Sequence, residues 1–225
     1  MDLKLKDVAE ILNVSQSTVS RWVTDGKIPS YKIKDEYRFS RIEIENWMLQ
    51  SDSHLSPFYH RSDTGVKQYS LFRAINRGQV YNNIPGTSKE EVIREAMNQV
   101  SEELDLDSEI LTNLLLEREN LMPTALNHGI AVPHTRDFLL DAHYDVVSIV
   151  YLENPIEYGA LDGEPVSVLF FLFACDDRRH LNLLAKIAHL ASNPTALSYL
   201  KSHPPKDKLL DYIKQWESEK VRALS

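Results

Sequence analysis

One cysteine stands in 225 residues, so no internal disulfide can form, and the chain suits a reducing compartment. Long apolar runs are missing as well: none approaches the ~20 residues that a membrane-spanning helix needs, which excludes helical membrane insertion. The opening MDLKLKDVAE has no apolar stretch of the kind a secretory leader carries, so a cytoplasmic protein is expected. A surplus of basic residues is the third absence. Residues 1–50 hold eight Lys/Arg and eight Asp/Glu and balance, so the whole net charge of −8 falls on the remainder. A body that acidic should not bind nucleic acid, because affinity for phosphates rests on Lys and Arg displacing counterions. Only the front end could touch DNA.

What is present is the make-up of an ordinary soluble chain, with 43% hydrophobic and 26% charged residues. The length permits one large domain, or a small one followed by a medium one. The front end reads as a helix-turn-helix. Leu5, Val8, Ala9 and Leu12 fall at i, i+3, i+4, i+7 on one helical stripe. Asn13-Val14 makes a turn, and Ser15 is a good N-cap for a second helix from Gln16 to about Thr24. Val19, Trp22 and Val23 face inward there, leaving Gln16, Ser17, Thr18, Ser20 and Arg21 open. Ile28 to Ile33 and Tyr37 to Phe39 read as a two-stranded wing around Lys34-Asp35-Glu36. Ser40 caps a third helix that offers Ile42 and Trp47 to the core.

The run V-A-E-I-L-N-V-S-x-S-T-V-S-R-W, with the following D-G-K-I-P, resembles the small winged helix-turn-helix of the excisionase and MerR-like families. That resemblance implies that the second helix enters the major groove. Gln16, Ser17, Thr18 and Arg21 would then face bases, and Lys32, Lys34 and Arg38 would meet backbone phosphates. Asp35 and Glu36 depart from a wing tip that is often glycine and basic, and they weaken that contact. A neutral domain of modest affinity gains from pairing, so a homodimer is expected if DNA is the target. Trp22 and Trp47 are core residues rather than a stacking platform. The alternative is a docking module that has kept the fold and lost DNA.

Residues 51–65 break all periodicity and read as a linker holding a short apolar patch, Leu55 to Tyr59. His54 and His60 have no further ligands at a recognised spacing, so no metal is expected. A second domain, residues 66–225, starts near Val66. A short helix carries Leu71 and Ile75, and Val80-Tyr81 is extended. Ser88 and Glu91 form a capping box opening a helix with Val92, Ala96 and Val100 on one face. A further helix holds Ile110 to Leu116, and Val146–Leu152 and Val166–Ala174 look like buried strands. Helices over His180–Ser192 and Lys206–Glu219 complete the domain. The order argues for an α/β fold: a winged helix-turn-helix, then an α/β sandwich of a mixed sheet flanked by helices.

The stretch that organises this second domain is Leu114 to Arg136. A helical stripe stops at the break before Pro123-Thr124, and an apolar run, Gly129 to Val132, ends on Pro133-His134. Proline stops a strand and leaves the next side chain at an edge, so His134 is expected on a stiff mount that reaches solvent. Arg118-Glu119, Pro123-Thr124, Gly129 to His134, Pro155-Ile156 through Asp162-Gly163-x-Pro165-Val166 and His180-Leu181-x-x-Leu184-Ala185 fall in order and at spacing. Together they resemble the enzyme IIA domain of the bacterial phosphotransferase system, in its fructose–mannitol and nitrogen-regulatory branch, over about residues 69–216.

That resemblance implies that His134 takes a phosphoryl group from the carrier HPr, with His180 as the second histidine of the site, at a helix start where N–H groups favour an anion. Arg118 would supply a permanent cation and Thr124 a hydroxyl donor. Such a carrier needs a neutral nitrogen lone pair and donors for the phosphoryl oxygens, and neither metal nor cofactor. It is a phosphohistidine carrier rather than a stand-alone catalyst. Thr124-Ala125-Leu126-Asn127-His128-Gly129 stands where relatives often carry T-G-I-G-x-G, with two glycines gone and His128 added, and Thr135-Arg136 stands where a small residue is usual. These departures are expected to slow phosphotransfer or change which carrier docks. His128 is read as a polar loop residue and Cys175 as a packed one, while His143, His189 and His203 have no motif support.

Three functions are open at this point. The first is a transcription regulator whose helix-turn-helix is governed by His134. The second is a carrier passing phosphoryl to a separate sugar-specific IIB. The third is a nitrogen-regulatory protein acting by protein contacts, with the front end only docking. The fusion favours the first, because a phosphoryl group adds roughly −1.5 to −2 charges to an acidic surface and so could shift a domain contact.

Overall fold

The computed structural model describes residues 2–12, 14–50, 70–135, 139 and 144–222, with side chains as far as 218. Asn13, the linker with His54, His60 and the Leu55–Tyr59 patch, the domain start at Val66, Arg136 and His143 lie outside the described residues.

The front end begins with β1 (Asp2–Lys4), α1 (Leu5–Leu12) and α2 (Gln16–Thr24). Ser15 starts α2 as its spacing predicts: its hydroxyl accepts the Thr18 N–H at 3.1 Å, satisfying one of the unpaired donors of the first turn. The wing follows as β2 (Tyr31–Ile33) and β3 (Glu36–Ser40), then α3 (Arg41–Gln50). Lys34 and Asp35 both sit at positive φ, 45° and 67°, the backbone of a tight two-residue hairpin turn. β1 was not legible in the sequence; it pairs antiparallel with β3 and makes the wing a three-stranded sheet. Trp47, half-buried, packs against the core as expected, its ring 5.8 Å from that of Trp22 and its indole N–H donating to the Lys27 carbonyl at 2.7 Å. One core expectation is corrected: Ile42 is 49% exposed. The reason is rotational: α3 turns Ile44, Glu45, Met48 and Leu49 inward instead.

The larger body runs α4 (Ser70–Arg77), β4 (Val80–Ile84), α5 (Lys89–Leu104), α6 (Ser108–Leu121), β5 (Ile130–Ala131), β6 (Val146–Ile156), β7 (Val166–Phe173), α7 (Asp177–Ala191), α8 (Pro194–Leu200) and α9 (Lys206–Arg222). Its strands make one mixed sheet in the order β4-β6-β7-β5, with β6 and β7 antiparallel and both outer pairs parallel. Helices cover both faces, which is why β6 and β7 read as continuous apolar runs. Val147, Ile149, Tyr151, Val168, Phe170 and Leu172 point to the side of α4, α7 and α9. Val146, Val150, Leu152, Leu169, Phe171 and Phe173 point to α5 and α6. Ser88 caps α5 by accepting the Glu91 N–H, while the Glu91 carboxylate closes back to accept the Thr87 N–H at 2.7 Å. α8, unread in the sequence, is capped by Asn193 with Pro194 in its first turn.

The front end is not loose on this body. Its core residues and those of the α4/α7/α9 face form one continuous apolar cluster. Arg41 reaches Asp177 at 2.7 Å, and Arg178 reaches Glu10 at 3.1 Å. α1 and α3 both pack on α7, which brings the inner face of α3 over the end of β5.

Candidate functional site: two imidazoles around a carboxylate

His134 follows β5 and is held there by the sheet itself. It bridges Leu172 of β7 in parallel pairing, and the Leu172 N–H donates to the Pro133 carbonyl at 3.0 Å. The loop before it needs left-handed backbone at His128 (φ 66°) and Gly129 (φ 75°). A Cβ on Gly129 would lie 2.9 Å from the Pro165 carbonyl oxygen, so glycine is required at that point. Asp162 fixes the same loop by accepting the His128 N–H at 2.7 Å. Ala125 and Leu126, at the altered segment, are buried, and Leu126 N–H donates to the Ile130 carbonyl at 2.8 Å.

The expectation that His134 reaches solvent is overturned: it is 1% exposed. What covers it is Glu45 of α3. His134 Nδ1 lies 2.7 Å from the Val132 carbonyl oxygen, and Nε2 lies 2.8 Å from Glu45 Oε1. A carbonyl only accepts, so Nδ1 must carry a proton and Nε2 is the nitrogen turned to the site. The carboxylate accepts too, so the contact needs a proton between Nε2 and Oε1.

Arg118, on α6, donates to the same Oε1 from Nη2 at 2.6 Å and from Nε at 3.1 Å. Its Nη1 donates to the Met122 carbonyl at 2.9 Å, which fixes the guanidinium in place. His180 Nε2 lies 3.4 Å from the other oxygen, Oε2, at ion-pair distance. The two imidazole rings meet edge to face, 4.8 Å between centres. His180 is not at a helix start: α7 begins at Asp177, and the His180 N–H already donates to the Asp176 carbonyl, so no free N–H of its own serves an anion. Thr124 is not brought to the pair. Its hydroxyl and N–H both donate to Glu119, whose carboxylate pins the turn at Met122–Thr124.

Electrostatics follow from the burial. Burial alone would raise the Glu45 carboxyl, but His134 and His180 hold it far below the usual carboxylate range, so it stays ionised. Burial pushes the His180 imidazole down to about 4, against the raising effect of Glu45. Chemically this is an anion cradle: one permanent cation and two imidazoles converge on one pair of oxygens. A divalent metal fits it poorly, because Glu45, His134 and His180 offer three ligand atoms but Oε1 already accepts from the Arg118 guanidinium. A cleft lined by Arg41, Ile42, Arg118, Leu121 and Met122 leads from the surface to the Glu45–Arg118 pair.

The residues proposed for DNA take no part in this cradle. Gln16, Ser17 and Arg21 are exposed and Thr18 is half-buried, its hydroxyl 2.8 Å from that of Ser15. On the wing, Lys32 and Lys34 are exposed, and Arg38 is tied to Glu36 at 2.6 Å. Lys32 lies 3.5 Å from Asp35, so the wing acids draw on the wing bases. Sequence reasoning missed Glu45. The available signal was a glutamate sharing the α3 stripe with Met48 and Leu49, since a charge on an apolar face calls for a partner.

The chain is thus a winged helix-turn-helix joined to an α/β domain, a mixed sheet sandwiched by helices with two buried histidines edge to face beyond a β-strand. The chain belongs to the family described as phosphoenolpyruvate-dependent sugar phosphotransferase system, EIIA 2, whose profile matches residues 74–216. A helix-turn-helix domain profile matches residues 3–52. The nitrogen regulatory protein of Pseudomonas aeruginosa is 32% identical over 146 residues, 64% of this chain and 94% of that protein. That of Klebsiella oxytoca is 28% identical over 145 residues, 64% and 89% of the two chains. Among solved structures, nitrogen regulatory protein IIA-Ntr from Neisseria meningitidis shares the fold, with a TM-score of 0.56 and 23% identity over 63% of this chain and 97% of that one. No helix among the described residues is long and apolar enough to cross a membrane.

Proposed function

We propose that His134 accepts a phosphoryl group from an HPr-type carrier and that its state governs DNA binding by residues 1–50. The protein would act in the cytoplasm as a transcription regulator, with residues 51–65 linking the front end to the IIA domain of 66–225. The observation that carries this reading is the cradle itself: Arg118, His134 and His180 converge on an anion at the position of the family's histidine motif. Nε2, the nitrogen turned to that anion, is the one available to attack phosphorus once its proton is gone. His180 and Arg118 would then take the phosphoryl oxygens, while Thr124 contributes indirectly by holding the loop.

The exposure of Gln16, Ser17, Arg21, Lys32 and Lys34 while α1 and α3 are docked supports a DNA role for the front end, most effectively as a homodimer. Gel-shift titrations on a selected DNA site should give affinities that differ between the phosphorylated and unphosphorylated protein. Lys34→Ala should weaken binding and reduce the salt slope by about 1. Identical affinities in the two states would remove the coupling. A second reading is a nitrogen-regulatory protein that acts by protein contacts rather than by onward transfer to a sugar-specific IIB; the relatives' name, nitrogen regulatory protein, supports its regulatory part. Phosphoryl passage to a IIB partner would instead support a carrier.

A further inference from the structure

We infer that Glu45 is the resident anion of the phosphoryl pocket, a carboxylate in the place of a phosphoryl group, so that docking of the helix-turn-helix and phosphorylation of His134 exclude one another. This rests on His134 being the phosphoacceptor and adds what the site does when it is empty of phosphate. Every cationic or donor group of the cradle is already turned to Glu45. Arg118 gives it two hydrogen bonds, His134 Nε2 a third at 2.8 Å, and His180 Nε2 stands 3.4 Å from the second oxygen. Glu45 is 5% exposed, so it leaves no room for a second anion on the same groups.

The exclusion is both steric and electronic. A phosphorus atom must approach Nε2 along its lone pair, and that line is held by Oε1 and the proton between them. For transfer from a donor's phosphohistidine, α3 must first withdraw Glu45 and the Nε2 proton must pass to solvent. The Nε2 lone pair then forms the new N–P bond as the donor's P–N bond breaks, and that electron pair returns to the donor imidazole. The phosphoryl oxygens inherit Arg118 and His180. Glu45 cannot return while they are there, because two anions would share one cradle.

Three features fit a contact built to open. Glu45 belongs to the helix-turn-helix and not to the IIA fold; the cleft beside it reaches the surface; and the ion pairs that flank it, Arg41–Asp177 and Arg178–Glu10, retain exposure to solvent. Phosphorylation would therefore cut the polar link between α3 and the IIA domain and free the front end.

The test uses full-length wild type, Glu45→Ala and Glu45→Gln, the last keeping the side-chain shape should alanine impair folding. Two readouts are taken: the thermal midpoint with inorganic phosphate, and the initial rate of phosphorylation by phosphoenolpyruvate, enzyme I and HPr. Phosphate should stabilise the variants and not the wild type, since a ligand stabilises only a state that can bind it. The variants should be phosphorylated roughly tenfold faster or more, the rate scaling with the fraction of open pocket. Equal phosphate responses together with equal rates would overturn the inference and leave the phosphocarrier reading standing. Phosphate stabilisation of the variants with no phosphorylation of any protein would remove the phosphocarrier reading and with it the exclusion, leaving Glu45 only as the anion that fills the pocket. In phosphorylated wild type, amide exchange over Arg41–Gln50 should quicken; unchanged protection there would also sink the inference.

Discussion

The Glu45–Arg118 pair is 4–6% exposed on both side chains, and at that depth the desolvation of each charge is offset only while the other stays. Arg118→Met should therefore destabilise the protein by about 3–5 kcal/mol, read from urea midpoints, because a buried carboxylate would lose its permanent counter-charge. A loss near zero would mean that the pair is weakly coupled and the pocket wet. His180 sets the pH dependence. Its imidazole titrates at about 4 when folded, while the unfolded chain titrates near the ordinary ~6.5. Between those values the unfolded chain binds a proton that the folded chain does not, so stability should fall as pH drops from about 6.5 towards 4. Glu45 does not mask this, since its contribution is lost only as pH falls below the ordinary carboxylate range. Urea midpoints compared at pH 7 and pH 5 should drop more in wild type than in His180→Gln; equal drops would contradict the assignment.

At the scale of elements, the fold was legible wherever a local rule sufficed. Ser15 announces α2 by its own hydroxyl, and the two apolar runs announce β6 and β7 because both of their faces are buried. β1 was not legible: three residues with one buried side chain carry no period, and only the edge of β3 makes them a strand. His134 shows the same limit. The motif placed it after a strand, yet its exposure was set by a residue 89 positions away on another domain. The α4–β4 corner is a similar long-range demand. A Cβ on Gly78 would lie 2.2 Å from the Val147 carbonyl oxygen, so helix and sheet can approach only over glycine. Gly78→Ala should cost about 2 kcal/mol or more, measured by thermal or urea unfolding. A neutral result would show that the corner can shift.

Taken whole, the molecule is a near-neutral helix-turn-helix clasped to an acidic body of the EIIA 2 family, and the clasp closes through the site that, on the proposed function, would carry phosphate. Charge division pointed to the front end as the DNA-facing part, and the motif pieces pointed to the IIA domain. Neither could show that the two meet at His134, because each signal was confined to its own domain. The flanking ion pairs are solvent-accessible and should weaken with salt, whereas the buried cradle should not. The central claim concerns that cradle, and intact mass tests it most directly. Wild type, Glu45→Gln and His134→Ala are incubated with phosphoenolpyruvate, enzyme I and HPr. One added phosphoryl group in Glu45→Gln, the same group gained more slowly in wild type, and none in His134→Ala is the expected result. Addition to His134→Ala, or none to any of the three proteins, would contradict the assignment of His134 as the acceptor.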